Sequence, residues 1–189
     1  KTAKKYSDPR QYAMRSAVVN FIDKVNEQYS EQGDHHMAIV TFGSNATTLH
    51  EWTAVDTIGV ASLKDKVDTL PQNPQGATNV GAGMEMAKGL MNSVPASSNT
   101  TRQKVVIVFT DGVPTTQSDF SISVANTAIT ASKNMKDKDV GAVVYTVGIF
   151  NGANPDEMYG ASDFDVNSNG TIDSVWKQEK WGLFPNTDF

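Results

Sequence analysis

The chain has no cysteine, which excludes a disulfide framework and any zinc site built on thiolates. It has no basic run beyond Lys4-Lys5, and its formal charge is −5, so the electrostatic footprint of a nucleic-acid partner is missing. No apolar stretch approaches the roughly 18 residues that span a bilayer, and no leader pattern opens the chain; the expectation is a soluble module without a transmembrane segment, cut from something larger. Three histidines are present, His35, His36 and His50, and none adjoins a recognisable nucleophile motif. Gly76 to Gly83 lacks the lysine of a phosphate-binding loop. Asp163 and Asp165 lie in a polar tail with no apolar pocket to part their roles as acid and base. Catalysis is not expected.

What is there is organised around Lys104-Val105-Val106-Ile107-Val108-Phe109-Thr110-Asp111-Gly112. Its consecutive apolar, mostly β-branched residues predict a strand buried on both faces, as in a parallel sheet covered by helices. The run stops at an acid and a glycine. Ligands of open α/β sheets collect at the carboxyl ends of strands, which makes Asp111 a candidate site residue, although Asp-Gly is equally the chemistry of a plain turn.

The 189 residues suit a single domain with a full core. Residues 8 to 29 predict a helix, with Asp8 as cap, Pro9 in the first turn and a stripe of Met14, Val18, Phe21, Ile22, Val25 and Tyr29. A strand over 37–43, a turn at Gly43-Ser44-Asn45 and a more polar edge strand over 46–52 read as a hairpin. Helices follow over about 59–70 and 79–94, the second with methionines 84, 86 and 91 as core filler. A loop at 113–118, a helix over about 120–136 and a second buried strand over 141–150 complete a core of residues 8 to about 150. Residues 151–189 read as an irregular extension, with Trp176 and Trp181 packing back on the body. Alternating strands and helices specify a doubly wound, mostly parallel α/β sheet with one antiparallel edge strand and helices on both faces. The first helix has no strand before it. A strand from outside residues 1–189 is therefore expected between the one at 37–42 and the one at 105–109, the chain being truncated at its amino-terminal side.

Gly76-Ala77-Thr78-Asn79 before a helix, Phe109-Thr110-Asp111-Gly112 after a strand, and Ala38-Ile39-Val40-Thr41-Phe42 leading a hairpin together resemble the von Willebrand factor A domain. The resemblance implies a divalent cation at the sheet's carboxyl edge, in a metal-ion-dependent adhesion site, with Thr78 and Asp111 matching its Gly-x-Thr threonine and its Thr-Asp-Gly aspartate. Mg2+ or Mn2+ is the implied ion. Magnesium takes oxygen ligands at about 2.0–2.1 Å and gives up its waters reluctantly, so hydroxyls and water-bridged carboxylates suit it. Hydroxyl ligands leave it short of negative charge, and a partner's carboxylate completes the shell. For Thr78 the competing role is an ordinary helix N-cap. The family's Asp-x-Ser-x-Ser belongs to the missing strand; the copy at Asp119-Phe120-Ser121-Ile122-Ser123 follows no apolar strand and reads as helix capping.

Asp165 to Asp173 fits the first nine positions of a calcium loop of the EF-hand type, with glycine at the sixth, but position twelve is Trp176, so a Ca2+ site and a polar turn both stand. Val147-Gly148-Ile149-Phe150-Asn151 with Asn154-Pro155-Asp156 looks like the A domains of Gram-positive surface proteins, including pilus adhesins. The implied function is adhesion at the cell surface or cell wall, to an extracellular protein or glycan, with other pilus subunits as further partners. A structural pilus or cell-wall module and an intracellular A domain in complex assembly are the alternatives.

Overall fold

The structure is a computed structural model, and it describes residues 9–32, 35–71, 76–94, 102–110, 113–117, 120–138 and 140–148. Eight elements follow in order: α1 (Pro9–Gln32), β1 (His36–Phe42), β2 (Ala46–Ala54), α2 (Thr57–Asp68), α3 (Val80–Met91), β3 (Lys104–Thr110), α4 (Ile122–Lys136) and β4 (Ala142–Gly148). No helix among the described residues is long and apolar enough to cross a membrane.

Strands β1 and β2 form the expected antiparallel hairpin, with register shifts on either side of Ile39. Strands β3 and β4 pair in parallel, Val106 opposite Val144 and Phe109 opposite Val147. The alternation of β1 gives the layers. Met37 and Ile39 pack on a cluster made by Ile22 of α1, Val55, and Leu63 and Val67 of α2. Phe42 packs the other way, with Trp52, against a second cluster of α3, α4, β3 and β4 that holds Val80, Met84, Val106, Val108, Val124, Ala128, Met135 and Val144. Successive side chains of a strand point to opposite faces, so a strand carrying both clusters lies between two helix layers.

Each helix starts for a local reason. The Asp56 side chain accepts from the amides of Ile58 and Gly59 and so caps α2, two residues before the expected start. Asn79 caps α3 by accepting from Ala82, and Ser121 caps α4 by accepting from Val124. Ser121 thus has the capping role expected of the Asp-x-Ser-x-Ser copy. Helix α1 ends at Gln32, three residues past the expected Tyr29.

Two expectations need correction. Phe21 does not belong to the buried stripe of α1: it is 40% exposed, while Ile22 is fully buried and Arg15 takes a place on the inner face. The face actually runs through Arg15, Val18, Val19, Ile22 and Val25, rotated away from Phe21 toward Arg15 and Val19 relative to the stripe drawn from apolar residues alone. Nor do the described residues cover β3 on both faces. Val106 and Val108 are buried, but Val105 is 41% exposed, and on β4 Tyr145 and Val147, opposite Ile107 and Phe109, are 48% and 40% exposed. Neither core cluster contains a residue of that side, because α3 and α4 both pack on the other.

Hydrogen bonding divides the sheet in two, β1 with β2 and β3 with β4. Among the described strands, β1 and β3 do not pair with each other.

Candidate functional site at the carboxyl edge of the sheet

Three loops meet where the strands end: residues 43–45 after β1, 76–79 before α3, and 113–117 after β3. The Asn79 amide donates to the Gly43 carbonyl at 2.8 Å, and its side-chain Nδ2 donates to the Ser44 carbonyl at 3.4 Å. The Ala77 amide donates to Ser44 Oγ at 3.2 Å. Gly76 makes this approach possible. Its φ is +109°, and a Cβ there would lie 2.7 Å from Ser44 Oγ, so any other residue would meet both strain and a clash.

The third loop closes on the same segment. The Thr78 amide donates to Thr115 Oγ1 at 2.9 Å, and the Thr115 amide donates back to the Thr78 carbonyl at 3.0 Å. Thr115 is itself held by a bridge to Phe120, and the Ser121 amide donates to the buried Pro114 carbonyl at 2.8 Å. Both polar groups of the Thr78 backbone are therefore engaged. The capping role that competed for its side chain belongs to Asn79. The hydroxyl of the half-buried Thr78 is the group this residue has left to offer a ligand.

Of the sequence candidates, Thr78 lies at the junction of the three loops. Asp111 lies outside the described residues, as do Asp119 and the whole of 165–173. Sequence reasoning places Ser44 and Thr115 only within loops around the metal edge, at 44–45 and 112–119, and singles out neither; for Ser44, its place directly after a strand end was the available signal, the same one that singled out Asp111.

The junction brings together the hydroxyls of Ser44, Thr78 and Thr115. Each hydroxyl that accepts an amide keeps an O–H and a further lone pair. Among the described residues no group of three or more His, Asp or Glu could hold a metal. Uncharged oxygen donors on a braced loop fit a hard, oxygen-seeking cation such as Mg2+ in kind.

The family model for the von Willebrand factor type A domain matches residues 6–168. The chain belongs to that family. Among solved structures, a von Willebrand factor type A protein from Catenulispora acidiphila is similar with a TM-score of 0.56 and 18% identity, over 75% of this chain and 30% of that one. Proximal thread matrix protein 1 from the mussel byssus, with a zinc-occupied MIDAS motif, is similar with a TM-score of 0.56 and 16% identity, over 82% of this chain and 35% of that one. These likenesses establish the α/β fold, and the chain spans about a third of each neighbour. A search of curated protein sequences found no match. Domains of this family are mostly interaction modules, often adhesive and metal-dependent, and can bind a divalent cation.

Proposed function

We propose that the chain is the metal-dependent adhesion module of a bacterial cell-surface or pilus protein. In this reading Thr78 and Asp111 hold Mg2+ or Mn2+ at the sheet's carboxyl edge, and a carboxylate of an extracellular protein or glycan completes its coordination. The observation that carries it is Thr78: its backbone is tied to Thr115 and its helix is capped by Asn79, which leaves the hydroxyl for a ligand. The lack of cysteine and the phrase from Val147 to Asn151 support a surface protein of the Gram-positive kind. When bound, the ion supplies an electrophilic position for an acidic group. The chain's own part is to hold the hydroxyl of Thr78 at the edge and to set the rim with the loops at 44–45, 71–79 and 112–119.

The test is binding to an immobilised array of matrix proteins and acidic glycans, in Mg2+ or Mn2+ and after chelation. Binding is expected to disappear with the chelator and in Asp111→Ala, with the fold retained by circular dichroism, because a strand-end carboxylate leaves no core cavity. Equal binding by both proteins, indifferent to chelator, would instead favour a structural pilus or cell-wall module.

A further inference from the structure

We propose that Ser62 is a nucleophilic serine, activated by His50 and able to take an acyl group from an activated ester. The fold joins two residues that no motif links in the sequence. His50 lies on β2 and Ser62 on α2, and the imidazole Nε2 stands 2.7 Å from Ser62 Oγ. On the other side of the ring, Nδ1 stands 2.7 Å from the Glu51 carbonyl. A carbonyl can only accept, so in the neutral ring Nδ1 carries the proton and Nε2 keeps its lone pair. The Ser62 hydroxyl is then the donor to Nε2. A hydroxyl within hydrogen-bond reach of a base, with the base oriented by a third group, is the arrangement that turns a serine into an attacking group.

Local structure aims both side chains. Around the pair Ile39 and His50, β2 runs one residue ahead of β1 on each side, since Met37 faces Thr53 and Val40 faces Thr48. Such an irregularity re-aims a side chain out of the regular ladder. Helix α2 lies hard against the end of β2: the Ala54 carbonyl leaves no room for a Cβ at Gly59. Ser62 follows Gly59 by three residues, on the same side of the helix. A helical serine often bonds the carbonyl four residues back; among the described residues the Ser62 hydroxyl bonds His50 instead. Both residues are half-buried, which leaves Oγ within reach of a small acyl donor. The pair shares no residue with the loop junction around Thr78, so it does not rest on a metal there.

The transfer needs no further reactant. Ser62 Oγ attacks the carbonyl carbon of the ester while its proton passes to His50 Nε2. The Oγ–C bond forms, the bond to the leaving oxygen breaks, and the proton on Nε2 goes to that oxygen. The Nδ1 proton stays on the Glu51 carbonyl throughout, which holds the ring in place. The class of donor follows from the helix. Ser62 is the sixth residue of α2, past the first-turn amides that lack partners within the helix. The amides around it are thus spent in helical bonds and do not make an oxyanion hole. The leaving group must then depart easily, which selects aryl esters and similarly activated acyl donors over amides.

The probe is p-nitrophenyl acetate, added to the full chain; nitrophenolate release gives the rate, and peptide mass mapping locates the acetyl group. The exposed Ser44, whose hydroxyl accepts the Ala77 amide, is the internal reference. Ser62 is expected to acetylate at least about 100-fold faster than Ser44, the lower end of what a positioned base contributes. His50→Gln keeps a polar partner for Ser62 but no base, and should bring the rate down to that of Ser44. Ser62→Ala should leave that peptide unlabelled. In the parent protein the reaction should be slower in heavy water, because a proton moves to Nε2 as Oγ attacks. Circular dichroism checks the fold of each variant. The inference is overturned if Ser62 reacts no faster than Ser44, or if a folded His50→Gln reacts as the parent does. Should that variant unfold, a parent rate unchanged in heavy water overturns it. An adduct that persists on His50 in Ser62→Ala overturns it as well, since the imidazole is then the nucleophile.

Discussion

At Thr78 a single side chain separates two roles that sequence cannot tell apart. A threonine before a helix is an ordinary cap, and capping is worth about 0.5–2 kcal/mol. Here Asn79 accepts the Ala82 amide at 3.0 Å, so removing the Thr78 hydroxyl should not unravel the helix. Thr78→Val keeps the β-branched shape and both backbone bonds to Thr115. It is expected to change stability by less than about 1 kcal/mol, the worth of an ordinary hydrogen bond, while Mn2+ affinity falls at least tenfold; Thr78→Ser should retain the affinity. Asn79→Ala should do the reverse, costing about 0.5–2 kcal/mol with Mn2+ affinity held. Calorimetric titration beside urea melts reads both quantities. If Thr78→Val destabilises like a lost cap and binds Mn2+ as the parent does, the ligand role fails.

At the scale of elements, most of the fold was legible because period and punctuation agreed. The hairpin followed from alternation around Gly43-Ser44-Asn45, and α3 and α4 from apolar spacing and capping chemistry. What was not legible depends on partners distant in sequence. The inner face of α1 includes Arg15, which no apolar pattern would select: its guanidinium is buried and donates to the carbonyls of Val67 at 3.2 Å and of Leu70 and Pro71 at 2.6 Å each. The Val67 carbonyl belongs to the last turn of α2 and also accepts from the Leu70 amide, and those of Leu70 and Pro71 lie just past the helix. A cation there also complements the helix dipole, so the arginine of one helix completes the end of another. The exposed side of β3 was missed for the same kind of reason, since a run of Val and Ile specifies a strand but not what covers it. At the loop junction, the place of Thr78 just before α3 was legible by motif and that of Thr115 was not, being fixed by its hydroxyl and its amide on the backbone of Thr78. Arg15→Met fills the space but removes three bonds, two of them to the carbonyls of Leu70 and Pro71 past the helix end. The expected loss is about 3 kcal/mol or more, given about 1.5–3 kcal/mol for each bond to a charged group with part recovered by water. Exchange should rise first at the amides of residues 66–70. A loss below about 0.5 kcal/mol, the range of an ordinary surface change, would mean that α2 ends without this tie.

For the whole molecule, the two clusters share no residue. Among the described residues, eleven buried side chains make the one under α3 and α4, and four make the one between α1 and α2. The halves are joined by Phe42, by Trp52 with its indole N–H on the Leu90 carbonyl at 2.9 Å, and by the loop junction around Thr78. Burial sets stability, so the half with the smaller cluster should open first. Calorimetry of the chain alone is therefore expected to give a measured enthalpy larger than the van't Hoff value, the mark of more than one transition. Amides of α1, α2 and the hairpin should exchange through a lower-energy opening than those of α3, α4, β3 and β4. Trp52→Leu should part the two transitions further, because it removes the indole bond that couples the hairpin to α3, and Arg15→Met should lower only the first. A single transition with equal enthalpies, and Trp52→Leu lowering protection everywhere alike, would mean that the halves already fold as one unit.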